Sequence, residues 1–293
     1  MVYTLRLSEG LVMAAVYRGF DRTELEREYS PSSLADIGAE LARATALSEA
    51  AYGSLTVERD LAYGPADPER IDFFPAGSTA PGAPLHIYVH GGYWQELDKA
   101  DSAFAAPDFV RAGTAFAAVG YGLAPAWRLD AIVDQVRRAV LWLLDHAERL
   151  GVDPARIWLS GSSAGAHLAA MALLDPRIAG RVAGAVLLSG VYDLEPIPLT
   201  YVNDALGLDA TEALRTSPLR MPLDALPPLV VALGEHETGE FGRQQREFVA
   251  AARAAGVPVR DLVAKARNHF DLPLDLGRPD TELGAAVREL TAG

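Results

Sequence analysis

The chain has 293 residues, half of them hydrophobic, with a mean hydropathy of +0.10, which supports a substantial core and excludes wholesale disorder. Asp and Glu outnumber Lys and Arg by 39 to 26, giving a net charge of −13, and no basic cluster offsets it, so a nucleic-acid partner is excluded. Cysteine is absent, which removes disulfides, thiolate metal sites, iron–sulfur clusters and cysteine nucleophiles, fits a reducing, cytoplasmic compartment, and leaves the chemistry to oxygen and nitrogen groups.

In chain order, Met1 to Tyr17 contains an apolar patch, Leu11 to Val16, with Glu9 before it and Arg18 and Asp21 after it. That patch lacks the length and flanks of a signal peptide. No apolar stretch reaches the roughly 18 residues of a membrane span, so no membrane partner is expected. Residues 1–54 read as a polar, mainly helical arm or cap. From about Leu55, short β-rich runs alternate with helical patterns, as in strand–helix–strand units that build a mostly parallel sheet. Leu55 to Ala62 and Arg70 to Phe74 look like an antiparallel opening pair. The strands expected next are Leu85 to Val89, Thr114 to Val119, Ile157 to Ser160, Ala183 to Leu188, Leu229 to Leu233 and Val257 to Val263. Most are continuously apolar, as befits strands covered by helices on both faces. Helices are predicted over Asp130 to Leu150, Ser163 to Leu174, Phe241 to Ala255 and Thr281 to Leu290. The proline-punctuated stretch 191–228 is too long for an ordinary connection and reads as a lid-like insertion in one domain spanning 1–293.

The chemistry-bearing residues lie at strand ends. His90-Gly91-Gly92-Tyr93-Trp94 follows the strand Leu85 to Val89. A glycine-rich loop there exposes backbone N–H groups, and the expected anion donors are those of Gly92, Tyr93 and Ala164, with Gly91 setting the turn. His90 is expected to hold this loop rather than act as a base. Gly161-Ser162-Ser163-Ala164-Gly165 is a G-x-S-x-G match between an apolar strand and an alanine-rich helix. Small neighbours let a serine stand proud of a strained turn, which makes Ser163 the candidate nucleophile. In this fold order a carboxylate and then a histidine follow the serine. That leaves His236 and His269, of which His269, in Asn268-His269-Phe270-Asp271 after the last strand, is placed to reach back over the sheet. The acid is sought in Gly234-Glu235-His236-Glu237-Thr238-Gly239-Glu240. Glu237 leads, three residues beyond the glycine, while Glu235 and Glu240 stay open. Its role would be to fix the imidazole tautomer and stabilise the imidazolium.

These residues resemble the serine-dependent kynurenine formamidase (arylformamidase) group of α/β-hydrolases, which is similar to the hormone-sensitive-lipase-like esterases. The resemblance runs through Tyr17-Arg18-Gly19-Phe20, Tyr63-Gly64, His90 to Trp94 with Leu97-Asp98-Lys99, Gly161 to His167, Gly234 to Phe241 with Arg243-Gln244, and Asn268 to Asp271. It implies an α/β-hydrolase fold, no cofactor, and hydrolysis of an aryl formamide such as N-formyl-L-kynurenine through an acyl-enzyme. A carboxylesterase of broader acyl tolerance or a hydrolase of specialised metabolism is the alternative, and a non-catalytic ligand-binding module a third. The chain departs from the pattern at Glu237, where those formamidases carry aspartate. Metal catalysis is not expected, because His86 and His90 lie on a strand and its exit and no H-E-x-x-H pattern is present. The expected partner is a small-molecule substrate, with a homodimer left open. Trp94 and Tyr201 are expected to contact the substrate, with Tyr93, Tyr121 and Trp127 as further aromatic candidates.

Overall fold

The computed structural model describes residues 14–33, 37–77 and 82–292; the first half of the apolar patch Leu11 to Val16 lies outside them. The arm contributes α1 (Arg22–Glu28) and α2 (Ile37–Ser54). Eight strands follow: β1 (Glu58–Ala62), β2 (Arg70–Phe74), β3 (Ala83–Val89), β4 (Ala115–Val119), β5 (Val152–Ser162), β6 (Gly184–Leu188), β7 (Leu229–His236) and β8 (Val259–Asn268). They form one sheet in the order β1-β2-β4-β3-β5-β6-β7-β8, antiparallel at β1-β2 and β2-β4 and parallel from β4 onward. The remaining helices are α3 (Ala106–Arg111), α4 (Leu129–Asp145), α5 (Ala164–Leu173), α6 (Asn203–Leu206), α7 (Ala210–Arg215), α8 (Gly239–Ala254) and α9 (Glu282–Ala292). Among the described residues no helix is long and apolar enough to cross a membrane.

Apolar side chains on both faces of the central strands divide the core into two clusters, one on each side of the sheet. Helix α4 turns Ile132, Val136, Val140 and Leu143 inward against α5, all of whose residues are buried. Alanine at Ala164, Ala166, Ala169, Ala170 and Ala172 lets α5 lie close between α4 and the sheet. The helix predicted to Leu150 stops at Asp145. A 3-10 turn, Glu148–Leu150, closes on Gly151, whose φ of 71° a glycine adopts without strain.

The differences from the sequence reading that shape the site lie at β7 and β8, while β5 begins earlier than expected, at Val152. Both β7 and β8 extend beyond their apolar runs, through Gly234↔Ala264 to a last rung at His236↔Asn268. Strand β8 is an edge strand with mixed exposure, so hydrophobic patterning ends its prediction too early. The last rung makes the next residues on each strand, Glu237 and His269, neighbours. Of the 191–228 stretch, Val191, Tyr192, Leu194 and Ile197 are buried in the core, and Tyr201 and Val202 reach the cavity described below.

Candidate active site

Ser163 sits between β5 and α5 with φ 56° and ψ −119°, a left-handed conformation that a non-glycine residue keeps only when its surroundings enforce it. Here its own N–H is tied to Leu188 O at the end of β6, at 2.8 Å. Gly91 lies against it. A side chain at that position would meet Ser162 O at 2.9 Å and Ser163 Cβ at 3.3 Å. Gly92 has φ +93°, and a Cβ there would overlap Glu96 O, so the loop closes this tightly only with glycine. Tyr93 and Trp94 follow at φ 48° and 62°. Among the described residues the N–H groups of Gly92, Tyr93 and Ala164 donate no hydrogen bond, as anion donors require.

On the other side of the serine, His269 Nδ1 lies 2.7 Å from Glu237 Oε2. The other carboxylate oxygen accepts from Ser189 Oγ at 2.6 Å and from Gly234 N at 2.8 Å. Since Glu237 only accepts in this arrangement, Nδ1 carries a proton and Nε2 is left as the basic nitrogen. Phe241 and Phe270 pack around the imidazole, with ring centroids 4.6 and 5.3 Å away. Ser163 and His269 line the same cavity. Among the described residues they share no hydrogen bond; in such sites this contact is often long until substrate tightens it. Glu235 and Glu240 are engaged elsewhere. Glu235 accepts from Ala266 N at 2.9 Å, and Glu240 is a buried ion-pair partner of Arg243 at 2.7 Å.

The cavity measures about 260 Å³. Gly91, Gly92 and Tyr93 form one wall, His269, Phe270 and Leu274 another, and Ile37, Leu41, Ala44 and Thr45 of α2 roof it. Tyr201 lines it. Trp94 does not, which corrects the expectation that it touches substrate. It is fully buried, and its Nε1 donates to His167 Nδ1 at 3.1 Å, because the left-handed turn at Tyr93 and Trp94 sends the indole into the core. Tyr121 is likewise buried, stacked on His90 at 4.1 Å with its hydroxyl on His90 O, and Trp127 packs at Gly122. His90 lines the cavity, but its Nδ1 donates to Gly91 O at 2.9 Å. Sequence reasoning missed Ser189, whose only signal is its place at the carboxyl end of an apolar strand, where parallel sheets build sites. It also missed the roof residues and Tyr29, which carry no local motif.

Three histidines are held neutral by burial: His86 down at about 3, His90 and His167 at about 4. Ser160 Oγ donates to Ile87 O, so it accepts from His86 Nε2 at 2.7 Å; His167 donates from Nε2 to Thr216 O. Their folded values lie below the usual 6.5 or so, so the unfolded chain takes up protons first as pH falls. The stability they contribute is complete above about pH 6.5 and drains away as pH falls through the folded values. The thermal midpoint is therefore expected to fall steeply between about pH 6.5 and 4, and His86→Phe to flatten that slope by about one proton, or roughly 1.4 kcal/mol per pH unit. Calorimetry across that range checks it, and an unchanged slope in the variant would contradict it.

Comparison with known proteins adds four likenesses. A family model described as BD-FAE matches residues 71–180. Kynurenine formamidase of Danio rerio is 35% identical over 272 residues, covering 87% of this chain and 92% of its own. Esterase LipQ of Mycobacterium tuberculosis is 30% identical over 240 residues, covering 73% of this chain and 57% of its own. A crystal structure described as that of a thioesterase from Silicibacter sp. TM1040 is 28% identical with a TM-score of 0.81, covering 90% of this chain and 99% of its own.

Proposed function

Because the chain belongs to the kynurenine formamidase family of α/β-hydrolases, we propose that it cleaves an aryl formamide such as N-formyl-L-kynurenine by serine catalysis. The observation that carries this reading is the Glu237–His269 pair at 2.7 Å, opening onto the cavity that also receives the strained Ser163. His269 Nε2 takes the hydroxyl proton as Ser163 Oγ attacks the formyl carbon. The N–H groups of Gly92, Tyr93 and Ala164 receive the negative charge that develops on the carbonyl oxygen, each such donor being worth about 3 to 4 kcal/mol where measured. The imidazolium then protonates the departing aryl amine. Water, deprotonated by the same imidazole, releases formate and restores the serine.

The lining also supports a leaving group that is aromatic and bears an ammonium group, as the amino-acid end of N-formyl-L-kynurenine does. Tyr93, Phe104, Phe270 and Tyr201 supply ring faces and edges. Glu96 and Asp101 supply negative charge, and among the described residues no Lys or Arg lines the cavity. Ester cleavage is the competing reading, favoured by the similarity to LipQ, since the same groups serve an alkoxide leaving group.

A panel separates the two. N-formyl-L-kynurenine is expected to exceed p-nitrophenyl acetate and butyrate in kcat/KM, by about tenfold or more for a site shaped to the smaller acyl group. The reverse order would move the chain to the esterases. Within a formanilide series, an ortho side chain ending in ammonium is expected to beat one ending in carboxylate by about fivefold, roughly 1 kcal/mol, with the gap narrowing as salt rises. Equal rates at low salt would remove the charge argument.

A further inference from the structure

The proposed oxyanion loop leaves β3 and the proposed acid–base pair leaves β7 and β8, with β5 and β6 lying between β3 and β7. No ladder bond joins β3 directly to β7. A two-residue segment at the end of α1 does. Glu28 O accepts from Thr238 Oγ1 at 2.5 Å, and Glu28 Oε2 accepts from Glu240 N at 2.9 Å, so this residue is fastened to the turn that carries Glu237. Tyr29 is fully buried. Its hydroxyl donates to Glu240 Oε2 and accepts from Gln244 Nε2, each at 2.9 Å. Its carbonyl faces the other way, accepting from Tyr93 Oη at 2.7 Å and from Tyr201 Oη at 3.1 Å.

Tyr93 is the residue that needs such a hold. It and Trp94 are consecutive left-handed residues, and conformations of that kind persist only where neighbours over-determine them. Trp94 is fixed through Nε1 to His167 and through its carbonyl to Ala124 N, at 2.8 Å. The one hydrogen bond that fixes the Tyr93 side chain among the described residues runs to Tyr29 O.

We infer that Glu28 and Tyr29 are positioning residues. They form a brace that sets the distance between the oxyanion donors and the acid–base pair, so that the N-terminal arm belongs to the catalytic geometry. This rests on the serine-hydrolase reading above. Each link has a near-isosteric deletion: Tyr93→Phe removes the hydroxyl bound to Tyr29 O, Tyr29→Phe the anchor on Glu240 and Gln244, and Thr238→Val the bond to Glu28 O.

The experiment measures kcat, KM and thermal midpoint for the three variants on the best substrate of the panel, together with inhibition by an aryl boronic acid and by aniline. The boronate forms a tetrahedral adduct on a serine and reads the oxyanion geometry; aniline reads ground-state binding alone. Misplacement by a fraction of an ångström is expected to lower kcat by about 10- to 100-fold with KM within about twofold. Boronate affinity should fall by the same factor across the series while aniline affinity stays level. A kcat and boronate affinity within about twofold of the parent in both Tyr93→Phe and Tyr29→Phe would overturn the brace, as would losses confined to KM or explained by a lower thermal midpoint. If boronate fails to inhibit the parent and Ser163→Ala keeps its activity, the serine reading itself fails and takes the brace with it.

Discussion

Ser163→Ala is expected to lower kcat by about 10⁴- to 10⁶-fold, the largest effect of any single substitution in this chain. The loss follows from what the hydroxyl alone supplies. Without Oγ no acyl-enzyme forms, and the cavity can only hold the substrate near water and near the three N–H donors. The fold should not suffer, because the strained backbone of residue 163 is held by Leu188 O and by the close approach of Gly91, not by the side chain. His269→Ala is expected to cost nearly as much, and the double variant little more than either, since a nucleophile and its base act as one unit. A fluorophosphonate should label the parent once and leave Ser163→Ala unmarked, at an unchanged thermal midpoint. A variant retaining more than about one hundredth of the parent's kcat would refute the assignment of the nucleophile.

Glu237→Gln is expected to cost about 10³- to 10⁴-fold in kcat. Glu237 spends one oxygen on Ser189 Oγ and Gly234 N and the other on His269 Nδ1. In glutamine the carbonyl oxygen keeps the first pair of donors, so the amide NH₂ faces the imidazole. A donor there forces Nδ1 to accept, moves the ring proton to Nε2, and removes the base from the side that faces the serine. Shape is retained and chemistry is lost. Glu235→Gln, by contrast, only weakens a bond to Ala266 N, and its kcat is expected within about threefold of the parent, as for ordinary surface changes. Glu240→Gln removes the charge from a buried pair with Arg243, though Arg243 keeps Glu247 at 2.8 Å. It should lower stability by about 1 to 3 kcal/mol and reduce turnover no further than the brace variants do. Steady-state kinetics on the three variants ranks them. A larger kinetic loss at Glu235 or Glu240 than at Glu237 would show that a different carboxylate serves the imidazole.

The parts of this protein legible in its sequence are those where a short segment dictates its own conformation. The central stretches of strands β3 to β7 announce themselves as apolar runs, because a parallel sheet covered on both faces has no polar side to display. The serine turn and the glycine loop are similarly local, since close approach of two backbones demands small residues in fixed order. What is not legible depends on partners remote in the chain. The tails of β7 and β8 are polar, and only their mutual pairing at His236 and Asn268 makes them strands. Trp94 sits at the end of the glycine loop in sequence yet belongs to the core, because two left-handed residues redirect it toward His167. Tyr29 lies in a polar arm with no motif around it. Its partners Glu240, Arg243, Gln244, Tyr93 and Tyr201 come from α8, the glycine loop and the 191–228 stretch.

Helix α2, which lines the cavity, is held at it by Thr45 Oγ1, which donates to Asp101 at 3.0 Å, and also away from it. Its last turns are secured by Tyr52 Oη on Asp72 at 2.7 Å, a carboxylate that also takes Lys99 Nζ at 2.9 Å. The chain before it is secured at Tyr29. Between those two piers the side chains of Ile37, Leu41 and Ala44 line the cavity. The consequence is that substitutions at Ile37, Leu41 or Ala44 are expected to reshape the space offered to substrate without loosening either mooring.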